Sequence, residues 1–125
     1  MKLVIGGTFQ GKLSYAKEHY QVSEWVDGNT CDFEELYSCQ GMNHFHEYIR
    51  RMLVNGQEVS CLPARIQSEN PEVVIITNEL GYGVVPVDAF DRNYREATGR
   101  VCTQLAESAD EVCRVVCGIG QVIKG

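Results

Sequence analysis

The sequence lacks any long apolar segment and any surplus of basic residues. No apolar run in its 125 residues approaches the ~20 residues that a helix needs to cross a bilayer. The apolar stretch at residues 3–5 is also too short for a signal peptide. Eleven Lys and Arg against seventeen Asp and Glu give a net charge of −6, which argues against broad binding to nucleic acid or anionic membranes. We therefore expect a cytoplasmic protein with no membrane span and no nucleic-acid partner.

Paired cysteine motifs are missing as well. The six cysteines include no CxxC pair, although their even number would permit three disulfides. Nothing in the chain indicates secretion, so we expect free thiols, with Cys113 and Cys117 buried on one face of an apolar strand. Cys39, His44 and His46 do not have the spacing of a standard zinc site, and we predict no metal ligands among the side chains.

The first fourteen residues contain the pattern of a phosphate-binding loop. A short apolar strand at residues 2–5 is followed by a turn between Gly6 and Gly11, and Lys12 opens a helical pattern. In the order strand, GxxxxGK, helix, the loop N–H groups, the helix dipole and the lysine together hold an anion. A glycine-rich turn without a ligand is the alternative. The predicted ATP- or GTP-binding residues are Gly6, Gly7, Thr8, Phe9, Gln10, Gly11, Lys12, Leu13 and Ser14.

The residue after the lysine departs from this motif. That position normally carries Ser or Thr, whose hydroxyl binds the magnesium ion of the nucleotide, but here it is Leu13. Ser14 follows one residue later, about 100° further round the helix. The sequence therefore predicts phosphate binding, but it does not predict a Mg²⁺ ligand in the loop.

The remainder of the chain alternates strands with helices. Helices are predicted at residues 12–20, 45–53, 62–68 and 88–107, with one or two helical turns within 31–39. Strands are predicted at residues 2–5, 24–28, 72–77, 111–117 and 121–124. This alternation predicts a three-layer α/β fold whose mostly parallel sheet has four or five strands, with 2–5, 72–77 and 111–117 at its centre. We expect one P-loop nucleotide-binding domain over residues 1–125.

The longest predicted helix has a glycine at its centre. Gly99 costs that helix ~1 kcal/mol relative to alanine, which predicts a close packing contact or a bend there. The same helix carries Arg92, Arg95 and Arg100. Solvated ion pairs are the common outcome for such arginines, and contacts to phosphate or to a neighbouring subunit of a homo-oligomer are the alternative.

Acidic residues follow two of the predicted strands. Ligands of parallel α/β sheets bind beyond the carboxyl ends of the strands, so residues 6–12, 27–28 and 77–83 should meet at one rim. Asp27 is either a catalytic acid that holds magnesium through water or part of an Asp-Gly turn. Glu79 either positions a hydroxyl or a metal-bound water, or caps backbone N–H groups. With Lys12, these two acids are the predicted catalytic residues.

Three segments of the C-terminal half carry a more specific pattern: VVIITNELGYGVVP at 73–86, DRNYREATGRV at 91–101 and ADEVCRVVCGIGQVIK at 109–124. Together with LVIGGTFQGKLSYA at 3–16, they resemble the bifunctional adenosylcobinamide kinase/adenosylcobinamide-phosphate guanylyltransferase family. The resemblance covers residues 1–20 and 71–125. It implies a RecA-like P-loop fold and two activities in cobalamin assembly. Such enzymes phosphorylate the aminopropanol arm of adenosylcobinamide, then transfer GMP from GTP to that phosphate through a guanylylated histidine.

The chain also departs from this family. Leu13 stands where the family has its magnesium-binding Ser, and the middle is shorter by several tens of residues, which include the histidine nucleophile. His44 and His46 lie outside any matching motif, so the nucleophile is assigned to neither. The resemblance implies a nucleotide and a corrinoid, adenosylcobinamide, as partners. We expect weak or absent kinase activity and no guanylyl transfer; the alternatives are a non-catalytic nucleotide-binding paralogue and an unrelated small P-loop kinase.

Overall fold

The computed structural model describes residues 1–80 and 88–125, which form a six-stranded sheet with helices on both faces. The strands are β1 Lys2–Gly6, β2 Trp25–Asp27, β3 Gly41–Asn43, β4 Val74–Asn78, β5 Glu111–Val116 and β6 Ile119–Lys124. The helices are α1 Lys12–His19, α2 Phe45–Val54, α3 Leu62–Glu69 and α4 Ala89–Ser108, with a short 3₁₀ helix at Phe33–Tyr37. The strand order is β2-β3-β4-β1-β5-β6, and only the β5–β6 pair is antiparallel.

Alternating side chains of the central strands supply cores on both faces of the sheet. Val4 points toward α1 and packs with Ala16, while its neighbour Leu3 points to the opposite face. On that second face, the sheet is covered by α2, α3 and α4, and both α2 and α3 contact α4. The predicted three-layer α/β fold with a mostly parallel sheet is therefore confirmed, and β4, β1 and β5 are central as predicted.

The predicted strand count was too low. Six strands pair among the described residues instead of four or five, and the unpredicted strand is β3, between β2 and β4. Its three residues, Gly41, Met42 and Asn43, include no β-branched side chain, so no local pattern indicates a strand.

None of the described helices combines the length and the apolar character that a bilayer crossing requires.

Two predictions about single residues were wrong in part. Cys117 is exposed, because β5 ends at Val116 and Cys117 turns the chain with a φ of 51°; Cys113 is buried as predicted, and all six cysteines are free thiols. At Gly99, the close packing contact is not found among the described residues, while the alternative of a bend stays a prediction. A Cβ on Gly99 would meet no described atom within 4 Å, and α4 continues through this position without interruption.

Candidate phosphate-binding site

The predicted phosphate-binding loop connects β1 to α1. Within the loop, Phe9 and Gly11 adopt left-handed backbone conformations, with φ values of 61° and 81°. Glycine does so without strain, whereas phenylalanine does not, and the Phe9 side chain is fully exposed. The backbone N–H groups of residues 7–11 donate no hydrogen bond to another described residue. The loop therefore presents consecutive unpaired donors at the N-terminus of α1, an arrangement that binds anions.

Lys12 places its charge inside this loop. Its side chain is buried, and Nζ donates a 2.6 Å hydrogen bond to the carbonyl oxygen of Gly7. Burial lowers the pKa of Lys12, and the nearby Glu79 carboxylate offsets part of that shift. The ammonium group thus lies against the loop backbone, where it can balance the charge of a bound anion.

Leu13 and Ser14 do not provide a hydroxyl next to Lys12. Leu13 is half-buried and packs against the cluster under α1 that includes Val4 and Val115. Ser14 is exposed on the helix surface. The methyl groups of Leu13 therefore contribute to the packing of α1 on the sheet at the position where P-loop proteins carry their magnesium ligand.

The turn between β5 and β6 is hydrogen-bonded to the phosphate-binding loop. The N–H of Cys117 donates to Oε1 of Gln10 at 2.7 Å, and the N–H of Gly118 donates to the Gln10 carbonyl oxygen at 2.8 Å. Gly118 also leaves little room above the loop, since a Cβ on Gly11 would lie 3.3 Å from its Cα. No local sequence pattern indicates this contact, because it joins residues more than one hundred positions apart.

Glu79 lies beside the loop and is paired with an arginine. Its N–H donates to the carbonyl oxygen of Gly6 at 2.9 Å, so the chain after β4 runs along the start of the loop. Its carboxylate accepts two hydrogen bonds from Arg114, from Nε at 2.8 Å and from Nη2 at 3.3 Å. The carboxylate is thus at the predicted rim, but its oxygens face Arg114.

Asp27 is at the same rim but far from the loop. Two strands separate β2 from β1, so at ~4.8 Å per strand Asp27 is about 14 Å to the side of the loop. Its Oδ1 accepts from the N–H of Asn29 at 2.9 Å and lies 2.9 Å from Nδ1 of His44. Burial raises the pKa of Asp27, but the hydrogen bonds from Asn29 and His44 outweigh it and hold the pKa below its usual value.

A chain of hydrogen bonds links the loop to the start of α2. Nδ2 of Asn78 donates to Oγ1 of Thr8 at 3.1 Å, and the N–H of Asn78 donates to Nδ1 of His46 at 3.1 Å. Burial lowers the pKa of His46 to about 4, with further contributions from His44 and Lys12. The imidazole is therefore neutral at pH 7, and because Nδ1 accepts a hydrogen bond, the proton is on Nε2.

The sheet edge at the carboxyl ends of the parallel strands carries some of the predicted site residues and also residues that were not predicted. Lys12 and Glu79 are neighbours, whereas Asp27 contacts His44 and not the loop. Asn78 and Arg114 were not singled out from the sequence, although Asn78 follows a buried strand within the predicted rim segment. That segment, residues 77–83, is described only as far as Leu80, and Gly81 and Gly83 lie outside the described residues.

Comparison with known proteins places these elements in a family. The family model for cobinamide kinase / cobinamide phosphate guanyltransferase matches residues 40–123, which is more than half of the chain. The chain belongs to this family. Two curated relatives, from Salmonella typhimurium and Escherichia coli K12, are each called "Bifunctional adenosylcobalamin biosynthesis protein CobU" and are each 46% identical over 67 residues. Those residues are 54% of this chain and 37% of each relative, so the chain matches well under half of their length.

The match to the cobinamide kinase family begins at β3 and ends in β6. It confirms the resemblance recognised at residues 71–125 and extends it through residues 40–70, which include α2 and the two histidines. The phosphate-binding loop and Asp27 precede the matched range. Their assignment therefore rests on the loop geometry described above.

Proposed function

We propose that the chain binds ATP or GTP through its phosphates at residues 6–14 and serves adenosylcobalamin biosynthesis as a member of the cobinamide kinase family. The observation that carries this proposal is the set of N–H groups at residues 7–11, which donate to no other described residue. Lys12 supports it, because its ammonium bonds the carbonyl of Gly7 and can exchange that contact for a charge-assisted bond to phosphate. A corrinoid, adenosylcobinamide, is the proposed second ligand, since the relatives are named for adenosylcobalamin biosynthesis.

The proposed role of Lys12 is to balance phosphate charge. The catalytic roles of Asp27 and Glu79 stay predictions, because each carboxylate is engaged elsewhere: Asp27 with His44, and Glu79 with Arg114. A catalytic function for Glu79 requires the pair with Arg114 to open. The single nucleotide-binding domain over residues 1–125 and a homo-oligomeric state belong to the same proposal.

The packing of Leu13 favours a second candidate, a non-catalytic nucleotide-binding protein. Leu13 is part of the core beneath α1, and so the loop has no hydroxyl adjacent to Lys12 for Mg²⁺. Without that ion, the β- and γ-phosphates lose positioning and charge neutralisation, which are most of what a P-loop enzyme contributes to phosphoryl transfer. Weak or absent kinase activity is therefore the expected result for the chain as it stands.

Calorimetry with ATP and GTP, each with and without Mg²⁺, tests the binding proposal directly. Lys12→Ala should weaken binding by about 1.5–3 kcal/mol, the range for a hydrogen bond to a charged group. Lys17→Ala is the matched control, because Lys17 is exposed in the last turn of the same helix, five residues beyond Lys12. If neither nucleotide binds, or if both variants lose the same affinity, the loop does not hold phosphate. A phosphoryl-transfer assay on adenosylcobinamide then separates an enzyme from a binding protein.

A further inference from the structure

An exposed apolar surface lies along the β5–β6 hairpin. Six large apolar side chains are exposed in the part of the chain that the structure describes, and four of them belong to this hairpin: Val116, Ile119, Val122 and Ile123. A fifth, Phe9, precedes Gln10, whose carbonyl oxygen accepts from the N–H of Gly118 in the hairpin turn. Monomeric proteins seldom expose a large apolar patch, so this concentration marks an interaction surface.

The outer side of β6 is a free sheet edge. β6 is the last strand of the sheet, and among the described residues its only strand partner is β5. The hairpin has a two-residue turn, so the residues that flank the turn, Val116 and Ile119, exchange backbone hydrogen bonds. Because this pattern alternates, the N–H and C=O groups of Gly120 and Val122 point away from β5 and can pair with another strand.

This edge lacks the charges and prolines that commonly protect edge strands. Residues 115–123 include no charged side chain and no proline. The one charge in β6 belongs to Lys124 and is directed at the end of α4, where Nζ donates to the carbonyl oxygens of Ala106 and Glu107 at 2.8 and 2.6 Å. The register shift between Val112 and Cys113 lies at the end away from the turn, so residues 119–122 stay regular. Such an edge favours strand pairing.

Three side chains of β6 share one face of the sheet. Ile119 and Gln121 point to the same face, because side chains alternate along a strand. Gln121 is opposite Arg114 of β5, and Ile123 lines a cavity together with Arg114, which places Ile123 on that face as well. The face therefore presents two exposed isoleucines at equal distances on either side of a glutamine.

This spacing makes β6 complementary to a second β6. In an antiparallel pair with Gln121 on the two-fold axis, Ile119 of each copy lies opposite Ile123 of the other. The same register sets the free backbone groups of Gly120 against those of Val122. The contact carries no charge, so two chains with a net charge of −6 each meet where their repulsion is weakest. A second copy of the chain thus matches this edge in hydrogen bonding, side-chain pattern and charge.

We infer that two copies of this chain associate through their β6 strands, which pair antiparallel about Gln121 and join the two sheets into one. The inference rests on the homo-oligomeric state proposed above and names its interface. The cross-strand isoleucine pairs bury apolar surface, and the backbone groups of Gly120 and Val122 supply the hydrogen bonds. Because Phe9 is next to the hairpin turn, association brings the second copy close to the phosphate-binding loop.

Sedimentation velocity of the full chain over a range of concentrations tests the inference, and a reversible monomer–dimer equilibrium is expected. A variant with both Ile119→Lys and Ile123→Lys sets like charges opposite each other, so it should weaken association by at least about a hundredfold. Val54→Lys is the matched control, because Val54 is an exposed apolar residue at the end of α2 and should not affect association. Thermal unfolding checks that each variant is folded.

A charge-swapped pair of variants tests the register. The chain with Ile119→Glu and Ile123→Glu should also be monomeric alone, but an equimolar mixture with the double-lysine variant should form heterodimers, since each lysine then lies opposite a glutamate. A mixture that stays monomeric would contradict the pairing about Gln121. An oligomer that persists in the double-lysine variant would overturn this interface alone. A chain that is monomeric at every concentration would overturn the homo-oligomeric state as well, while calorimetry with ATP and GTP decides separately whether nucleotide binding stands.

Discussion

The side chain of Asn78 donates a 3.1 Å hydrogen bond to the hydroxyl of Thr8, and thereby the end of β4 holds the phosphate-binding loop. The backbone of Asn78 is fixed in turn by His46, whose Nδ1 accepts its N–H at 3.1 Å. The loop is therefore positioned by α2 as well as by its own glycines. This arrangement matters for binding, because a loop that is already ordered loses less conformational entropy when an anion binds.

Asn78→Ala should weaken nucleotide binding roughly threefold to tenfold, since it removes one net hydrogen bond to the loop. Asn55→Ala, at an exposed position after α2, is the control and should have no effect. Calorimetry on Asn78→Ala, on Thr8→Val and on the double variant measures the coupling between the two side chains. The double variant should bind no more weakly than either single variant, and additive losses would show that this hydrogen bond is not what orders the loop.

His46 should make the folded state sensitive to moderate acid. Its pKa is lowered to about 4 in the folded protein from an ordinary 6.5, chiefly by burial. As pH falls from 6.5 toward 4, the unfolded chain gains a proton that the folded protein does not, so the free energy of unfolding decreases. The loss amounts to at most about 3 kcal/mol by pH 4. Denaturant unfolding at a series of pH values measures it.

His46→Asn is the matched variant for this pH dependence. The Oδ1 atom of asparagine can accept the N–H of Asn78 as Nδ1 does, but the side chain does not titrate. Stability should then vary less between pH 6.5 and 4. Asp27 and Asp110, whose pKa values are lowered from 3.8, contribute only at more acidic pH. Equal pH dependence in His46→Asn and the unmodified chain would contradict the assignment to His46.

The sequence predicted the parts of this fold that depend on local patterns. The β-branched run of β4 indicated a strand covered on both faces, and the order strand, GxxxxGK, helix located the loop between β1 and α1. β3 could not be predicted, because Gly41, Met42 and Asn43 form a strand only through their pairing with β2 and β4. A short strand of this kind depends on tertiary context that no local propensity contains.

The contacts that shape the candidate site could not be predicted from the sequence either. The Arg114–Glu79 pair joins residues 35 positions apart, and the hydrogen bond from Cys117 to Gln10 joins residues 107 positions apart. The position of Glu79 after a strand predicted its place at the rim, but no local pattern identifies the partner of its carboxylate. The cause is physical, since these pairings depend on the order β4-β1-β5 across the sheet and not on local spacing.

Guanylyl transfer to a histidine should be absent. His46 is buried and has one ring nitrogen bonded to Asn78, while Nδ1 of His44 lies 2.9 Å from Asp27. Nδ1 of His46 is thus occupied, and His44 follows β3, which β4 separates from the strand β1 that leads into the phosphate-binding loop. Incubation of the chain with α-labelled GTP, followed by denaturing electrophoresis, should show no bound label. An acid-labile adduct that disappears in His44→Ala or in His46→Asn would contradict this expectation.

Leu13→Ser should make nucleotide binding depend on magnesium. The substitution introduces a hydroxyl directly after Lys12, where P-loop proteins bind the ion that bridges the β- and γ-phosphates. It also removes a half-buried side chain from the cluster under α1, so the free energy of unfolding should fall by about 1–2 kcal/mol. Leu13→Ala loses the same packing without gaining a hydroxyl, and the difference between the two variants isolates the magnesium effect. ATP and GTP should therefore bind more tightly to Leu13→Ser than to Leu13→Ala when Mg²⁺ is present, and equally to both variants when it is absent. If the two variants respond alike while the unmodified chain phosphorylates adenosylcobinamide efficiently, magnesium is held by other residues and Leu13 does not limit catalysis.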